Sequence, residues 1–328
     1  MVVDDKVSNK NRFTCKICKR HMCAEIIKAK EMMMGLKDVF YYARCASCGS
    51  LSMLNVPKDL SKYYPKEYSR PYNLVSSLKL YSSMVLYRIF ATKAEGLVNR
   101  IIPSGNGIIS NLNSIRMLLK ISGRHSYKNL SLLDIGARTG DFLKKLQLMD
   151  FKELEGIDPF IEKPIKFGKV RIAKTDIFHI NRKFDFIVMN HSIEHVKDPL
   201  RVLHKLRKLV KNGSVVLIRT PVADSYAFRK YRENWNGLDP SRHLVIFTRK
   251  SMRIAARKEH FDVVKEISDT VGNNFVVSEM YKRGIPLWQT KQHVFNSKHI
   301  SQFDRLAVRL NSENRGDTVA FYLKAIPY

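Results

Sequence analysis

The segment from residue 132 to 143 constrains the fold of this chain more than any other. It reads LLDIGARTGDFL, which is an apolar strand followed by a turn with two glycines and the start of a helix. Glycine lets the backbone approach a bound molecule closely, so a turn of this kind after the first strand of a parallel sheet is typical of sites for nucleotide-like ligands. The segment therefore predicts a doubly wound α/β sheet with a ligand at the end of its first strand.

From residue 131 onward, short apolar segments alternate with helical ones, as in a parallel sheet that is covered on both faces. The strands predicted from this alternation are 132–135, 154–157, 170–173, 184–189, 215–219, 261–267 and 318–326, and the helices between them include 141–149 and 199–210. An irregular, partly helical insertion is expected at about 270–315. We predict an α/β domain over residues 129–328, with a Rossmann-like, seven-stranded, doubly wound sheet.

Two Cys-x-x-Cys pairs lie near the N terminus, Cys15 with Cys18 and Cys45 with Cys48. Each pair can place two thiolates on one tight turn. Two such turns brought together give the closed tetrahedral S₄ site that structural zinc prefers. We therefore expect a small zinc-ribbon domain over residues 1–57 in which these four cysteines bind Zn²⁺, with Cys23 outside the set.

Residues 58–128 carry a different pattern. Apolar residues recur every three or four positions in 76–97 and 111–121, which predicts two amphipathic helices. Before them, the run Tyr63-Tyr64-Pro65 predicts a loop that packs against another part of the chain. We expect a helical cap or linker here.

The chain is strongly basic, with 58 Lys and Arg against 30 Asp and Glu and a formal net charge of +28. Such a surplus bears on partners rather than on fold. It favours an anionic partner, namely RNA, a phosphate-bearing small molecule or, by peripheral contact, an anionic membrane surface; solvated lysines alone would also account for it. The sequence shows no apolar run of the roughly 18 residues that a membrane span needs and no secretory signal, so we expect no transmembrane helix and a cytoplasmic location.

Residues 131–326 resemble the class I S-adenosylmethionine-dependent methyltransferases. Residues 134–140 follow the family's D-x-G-x-G-x-G motif except at the middle glycine, where Arg138 stands, and residues 184–199 resemble its fourth-strand signature with an EHV-x-DP segment. The resemblance implies S-adenosylmethionine as cofactor, held by Asp134, Gly136, Ala137, Gly140, Asp158, Asp176 and Asn190. The spacing of Asp158 from Asp134 also suits a carboxylate that holds the ribose. Asp176 can equally be the N-cap of a helix.

The segment 235–248 resembles a histidine-containing segment of the methyltransferase branch that acts on sugars and other small acceptors, and a ribbon followed by Tyr63-Tyr64-Pro65 recurs in that branch. The resemblance implies methyl transfer to a hydroxyl of a sugar or glycan precursor, or of a similar small anionic acceptor. His243 and His195 match the pocket histidines of such enzymes. Of the two, we expect His243 to be the general base for the hydroxyl proton.

Two other functions remain open from the sequence. An RNA methyltransferase would use the ribbon and the cationic helices to grip the RNA backbone. A non-catalytic binding module with a methyltransferase fold is favoured by Arg138 and disfavoured by the retained motif residues around it.

The same region also allows a metal-binding interpretation. His191, Glu194 and His195 would face together on one helical turn, as in a Glu-x-x-Glu-His metal site. Because His191 replaces the first glutamate, a hard magnesium site is disfavoured, and we expect no catalytic metal.

Overall fold

The computed structural model describes residues 13–64, 107–147, 149–287 and 294–327. The strands are β1 (Cys23–Lys30), β2 (Val39–Cys45), β3 (Leu51–Met53), β4 (Ser131–Ile135), β5 (Glu153–Ile157), β6 (Ile165–Phe167), β7 (Val170–Ala173), β8 (Phe184–Asn190), β9 (Val210–Pro221), β10 (Val245–Ile246), β11 (Phe261–Ser268) and β12 (Thr318–Ala325). The helices are α1 (Gly107–Ser122), α2 (Asp141–Lys145), α3 (Pro199–Leu209), α4 (Tyr226–Tyr231), α5 (Arg249–Lys258), α6 (Gly272–Lys282) and α7 (Ser297–Ser312). The helix expected at 76–97 lies outside the described residues.

The large sheet has eight strands in the order β11-β12-β9-β8-β4-β5-β7-β6. Strands β7, β5, β4, β8 and β9 are parallel, and β12 lies antiparallel between β9 and β11. All seven predicted strands are present, so the predicted Rossmann-like sheet is confirmed. The eighth strand, β6, was not predicted, because its three residues are partly or fully exposed and are too few to establish an alternating pattern.

The central strands are buried on both faces, which explains why they read as continuous apolar runs. Every residue of β4 is buried, as are the first six residues of β8. Helix α3 covers one face and begins at Pro199, where Asp198 accepts a hydrogen bond from the backbone N–H of Arg201. Helix α2 is shorter than predicted, because the backbone N–H of Leu146 turns back to the carbonyl of Leu143.

A second, smaller sheet has the order β1-β2-β3-β10 and is antiparallel throughout. Its fourth strand, β10, comes from the segment that follows His243. One sheet thus joins strands from both sides of the boundaries expected at residues 57 and 128, so the ribbon is integrated with the rest of the molecule. The predicted domain limits remain a proposal.

The helix expected at 111–121 is present as α1. Its Ser114 hydroxyl accepts a hydrogen bond from the Arg219 guanidinium on β9, which fixes the helix against the large sheet. Among the helices of the described ranges, none is both long and apolar enough to cross a bilayer.

Candidate active site

A cavity of about 640 Å³ lies at the carboxyl ends of β4, β5 and β8. The chain passes from β4 to β5 and β7 on one side of the sheet and to β8 and β9 on the other, so the strand order reverses between β4 and β8. Doubly wound sheets bind ligands at this reversal point. The cavity therefore occupies the place that the sequence predicts for a ligand.

The turn after β4 has a backbone shape that requires glycine at two positions. Gly136 has φ +82°, and a Cβ there would lie 2.3 Å from Ser192 Oγ; Gly140 has φ +77°, and a Cβ there would lie 2.3 Å from Ile172 Cδ1. Of the two, Gly136 lines the cavity. The glycines let the turn pass close under the cavity without side chains in the way.

Arg138 stands where the motif has its middle glycine, and it keeps a glycine-like backbone. Its φ is +48°, in the left-handed region. Its backbone N–H donates to Asp158 Oδ2 at 3.0 Å, and the residue lines the cavity. The departure from the motif therefore changes the side chain but not the course of the turn.

Three polar residues predicted to bind the cofactor line the cavity from the ends of neighbouring strands. Asp158 also accepts a hydrogen bond at Oδ1 from the backbone N–H of Phe160, at 2.8 Å. Asp176 caps a 3-10 turn by accepting the backbone N–H of Phe178 at 2.8 Å, so it is an N-cap as well as a lining residue. Asn190 Oδ1 accepts from Arg219 Nη1 at 2.8 Å.

Three predicted residues, Asp134, Ala137 and Gly140, do not line the cavity. Asp134 is only 3% exposed, and its burial, with the nearby charge of Asp158, raises the pKa of its carboxyl to about 7. Ala137 packs in the core against Gly156. These residues shape the cavity from behind.

Aromatic side chains at the rim were missed in the sequence. Tyr64 stacks on Phe160, with ring centroids 5.7 Å apart, and Phe178 lies under the Arg201 guanidinium. Phe160 and Phe178 each follow a predicted acidic residue, Asp158 or Asp176, by two positions. That shared spacing is the signal that could have identified them.

Residues 109–266, a little under half of the chain, match a family model described as a methyltransferase domain. The chain carries a methyltransferase domain. Its sheet order and its glycine turn are those expected from the class I resemblance, so the chain is an S-adenosylmethionine-dependent methyltransferase.

Solved structures give weak similarities. The chain is similar to a Galdieria sulphuraria protein provisionally assigned as a sarcosine dimethylglycine methyltransferase (11% identity, 67% of this chain and 86% of that chain covered, TM-score 0.45). It is also similar to a SAM-dependent methyltransferase from Archaeoglobus fulgidus (17%, 66% and 93%, TM-score 0.41). Coclaurine N-methyltransferase bound to N-methylheliamine and S-adenosylhomocysteine is a third (11%, 81% and 92%, TM-score 0.42). Identities and TM-scores this low carry no information about the acceptor. A comparison with curated protein sequences gives no match.

Glu194, His195 and His243 form a cluster in which Glu194 and His243 are buried and the half-buried His195 lines the cavity. One potential ligand atom of each lies within 4.8 Å of the others. The helical turn expected to align His191 with Glu194 and His195 is only a 3-10 turn, Ile193–His195, and His191 precedes it with φ +49°. His243, rather than His191, therefore completes the three-residue cluster, although His191 Nδ1 lies 3.3 Å from Glu194 Oε1.

The two histidines of the cluster differ in their position. His195 lines the cavity, and its Nδ1 lies 3.0 Å from the carbonyl of Arg242 and 3.3 Å from the Tyr64 hydroxyl. Burial, together with the neighbouring His243, lowers the pKa of His195 to about 4. His243 is 8% exposed and does not line the cavity, and its Nδ1 lies 2.9 Å from the carbonyl of Gly237. The histidine expected to be the base thus lies behind the other.

The four predicted zinc ligands of the ribbon come together. Their Sγ atoms all lie within 4.8 Å of one another, with Cys15 and Cys48 3.6 Å apart and Cys18 and Cys45 3.5 Å apart. Thiolates about 2.3 Å from a tetrahedral zinc lie about 3.8 Å from each other, so the cluster fits the ion. A hydrogen bond from the Cys48 thiol lowers the pKa of Cys15 to about 4. Cys23 lies outside the cluster, with its Sγ 3.4 Å from the carbonyl of Glu25.

The ribbon also holds the segment of the methyltransferase domain that carries His243. The buried Tyr42 hydroxyl of β2 donates to the carbonyl of His243 at 2.9 Å, and Thr248 Oγ1 donates to the carbonyl of Cys48 at 2.6 Å. The pairing of β3 with β10 lies between these two bonds. Within the same segment, the backbone N–H of Leu244 donates to the carbonyl of Glu194 at 2.7 Å. The thiol cluster and the histidine cluster are therefore connected through backbone contacts.

Proposed function

We propose that this enzyme transfers the methyl group of S-adenosylmethionine to a hydroxyl of a small anionic acceptor, such as a phosphate-bearing sugar or glycan precursor. One observation carries the proposal. The same cavity is lined by the glycine turn and Asp158 and also by His195 and cationic side chains. Its volume of about 640 Å³ lies in the range of small-molecule sites, which favours a small acceptor over RNA.

The cofactor belongs on the side of the strand ends. We assign Gly136, Asp158, Asp176 and Asn190 to direct contact with it, since they line the cavity. Asp134, Ala137 and Gly140 act indirectly, by holding the turn and the floor. Bound there, S-adenosylmethionine supplies a methyl group on a positively charged sulfur, which a nucleophile can displace in line.

We place the acceptor near His195, beside the Tyr64 hydroxyl. Lys197, Arg201 and Arg138 also line the cavity. Lysine and arginine side chains suit phosphate groups, arginine through bidentate hydrogen bonds. Tyr64, stacked on Phe160, places an aromatic surface against which a sugar ring can pack.

Methyl transfer requires that the acceptor oxygen and the methyl carbon meet in line at close range, so positioning supplies much of the rate. A hydroxyl acceptor must also lose its proton. We assign this task to the His195 and His243 end of the cavity, where His195 is the residue that faces the acceptor. His243 holds His195 from behind, with ring centroids 4.8 Å apart.

We further propose that Cys15, Cys18, Cys45 and Cys48 bind a structural Zn²⁺. The fit of the four thiols to a tetrahedral ion supports this assignment. The ion would hold the two turns of the ribbon together and, through β3 and Tyr42, the segment that carries His243.

The first test is calorimetric titration of the zinc-loaded protein with S-adenosylmethionine and S-adenosylhomocysteine. We expect micromolar binding of both, lost in Asp158→Ala and kept in Asp262→Ala, which removes an exposed carboxylate of β11. Absence of binding to the folded, zinc-loaded protein would overturn the proposal. Sugar nucleotides and RNA are then compared as acceptors, and methylation of RNA alone would overturn the assignment of the acceptor.

A further inference from the structure

We propose that Glu194, His195 and His243 bind a divalent transition-metal ion at the acceptor end of the cavity. The inference rests on the proposed function, because it concerns how the acceptor hydroxyl is prepared there. This site differs from the one considered from the sequence, which had His191, Glu194 and His195 as ligands. Here His243 takes the place of His191, and the ion is not magnesium.

The hydrogen bonds of the two imidazoles leave one nitrogen of each ring for a metal. A backbone carbonyl can only accept, so Nδ1 of His195 donates to the carbonyl of Arg242 and Nδ1 of His243 donates to the carbonyl of Gly237. In each neutral ring the lone pair is therefore on Nε2. Metal-binding histidines are typically oriented in this way, with the other ring nitrogen donating to a carbonyl or carboxylate.

The carboxylate of Glu194 is the third ligand. It is fully buried, and its Oε2 accepts a hydrogen bond from the Thr220 hydroxyl at 2.9 Å. Oε1 has two imidazole nitrogens nearby, His191 Nδ1 at 3.3 Å and His243 Nε2 at 3.9 Å, but it accepts no hydrogen bond of good geometry from any described residue. A buried carboxylate oxygen without a hydrogen bond is costly, and a bound cation removes that cost.

The type of ligand decides the type of ion. Two imidazoles and one carboxylate favour zinc, iron(II), cobalt(II) or manganese(II) over magnesium, which prefers oxygen alone. Ligands of a tetrahedral ion at about 2.1 Å lie about 3.4 Å apart, so the donors, which lie within 4.8 Å of one another, have to approach each other by up to about 1.4 Å when an ion binds. Asp239, with Oδ2 3.5 Å from His243 Nε2, is held by Arg242 and stands beside the site.

Three protein ligands leave a fourth position for the substrate, as in catalytic zinc sites. Because His195 lines the cavity, that position faces the acceptor. A hydroxyl bound to the ion loses its proton more readily and passes it to a water in the cavity. The resulting alkoxide forms the new O–C bond to the methyl group, while the S–C bond breaks and its electron pair stays on sulfur.

The proposal is tested by measuring how much metal the protein binds. The full chain, with zinc in the ribbon, is dialysed against Zn²⁺ and analysed by mass spectrometry, and Mn²⁺ binding is followed by electron paramagnetic resonance. We expect a second zinc equivalent and one Mn²⁺ site, with both affinities at least about 100-fold lower in Glu194→Gln and in His195→Asn, because loss of a ligand costs no less than loss of an outer-shell partner. The control His204→Asn, in an exposed His–Glu pair with a separation of 3.0 Å, keeps both.

Each outcome decides the proposal. The proposal is overturned if the unaltered protein binds only one zinc equivalent and no Mn²⁺. It is also overturned if a second zinc equivalent persists in both variants. Circular dichroism shows whether Glu194→Gln is folded. If it is unfolded, metal binding by His195→Asn, a substitution at the cavity wall, decides between the two outcomes. S-adenosylmethionine binding is measured on the same samples. If it is intact while the second metal is absent, only the metal proposal fails; if it is absent while the metal binds, the proposed function fails.

Discussion

At the scale of single residues, the turn after β4 has positions that need only a left-handed backbone and positions that also have no space for a side chain. Arg138 breaks the sequence motif, yet its φ of +48° keeps the left-handed conformation that glycine favours. Gly136 has no such freedom, because a Cβ at this position meets Ser192 Oγ at 2.3 Å. Position 138 therefore accepts a residue other than glycine, whereas position 136 requires glycine.

This difference gives a first prediction. Gly136→Ala should weaken S-adenosylmethionine binding at least tenfold and destabilise the protein by more than the roughly 1 kcal/mol that a left-handed Cβ costs alone. Gly123→Ala is the matched control, since Gly123 has φ +69° and open space around its Cβ position. Arg138→Gly should retain cofactor binding. Calorimetry and thermal unfolding check all three, and equal behaviour of the Gly136 and Gly123 variants would contradict the steric argument.

Asp134 gives a prediction about pH. Its pKa is raised to about 7 by burial, so the folded protein holds this proton more tightly than the unfolded chain does. That contribution to stability is fully present below the unfolded carboxyl's pKa and is lost as the pH rises to about 7, on the order of 4 kcal/mol in total. Asp134→Asn should flatten the fall in unfolding free energy between about pH 4 and pH 7. Denaturant unfolding at several pH values measures it, and parallel curves for both proteins would refute it.

At the scale of elements, β10 and the segment before it connect the ribbon to the cavity. The Tyr42 hydroxyl lies within hydrogen-bonding distance of the carbonyls of both Leu238 and His243, at 3.4 and 2.9 Å. These two carbonyls bracket the turn in which Asp239 and Arg242 pair. One buried side chain of β2 thus fixes the position of a turn that carries a histidine of the proposed site.

Removal of this hydroxyl should affect catalysis more than cofactor binding. Tyr42→Phe leaves the carbonyl of His243 without its donor, which we expect to cost about 1–2 kcal/mol in unfolding free energy. Turnover should fall while the Kd for S-adenosylmethionine stays within about twofold. Tyr41→Phe, on the opposite face of the same strand, is the control. A change in Kd as large as the change in turnover would show that the hydroxyl acts on the whole cavity.

At the scale of the whole molecule, the ribbon and the methyltransferase domain are held together through carbonyls of the thiol turns. Thr248 binds the carbonyl of Cys48, and Lys250 Nζ donates to the carbonyl of Ser47 at 2.6 Å. Lys258, at the end of α5, reaches the carbonyls of Ile17 and Cys18 at 3.3 and 3.4 Å. Both thiol turns are thus contacted by residues in and around one helix, α5.

Loss of the ribbon zinc should therefore also impair the function of the cavity. Cys18→Ser is expected to lower the zinc content by one equivalent, to lower the melting temperature, and to reduce turnover with any acceptor. Cys23→Ser, which changes a thiol outside the cluster, should do none of these. Metal analysis and calorimetric melting test the pair, and a Cys18→Ser protein with unchanged zinc content would contradict the assignment of the four ligands.

Much of the fold could be predicted because its signals are local. Strands such as β4 and β8 are buried on both faces and read as unbroken apolar runs, and the left-handed turn is marked by its glycines. Strand β6 could not be predicted, since an exposed edge strand of three residues has no pattern of its own. The roles of His195 and His243 could not be separated either. Which one faces the cavity depends on partners that are distant in the sequence, Tyr64 and Tyr42 among them.

The shared small sheet also bears on how the chain is made. During synthesis, residues 13–64 emerge first and can gather their four thiols, but the edge of β3 has no partner until β10 has been translated, nearly two hundred residues later. An unpaired strand edge is a template for mispairing with other chains. Nascent chains arrested before residue 245 should therefore aggregate more readily than chains released after residue 246, even when zinc is plentiful.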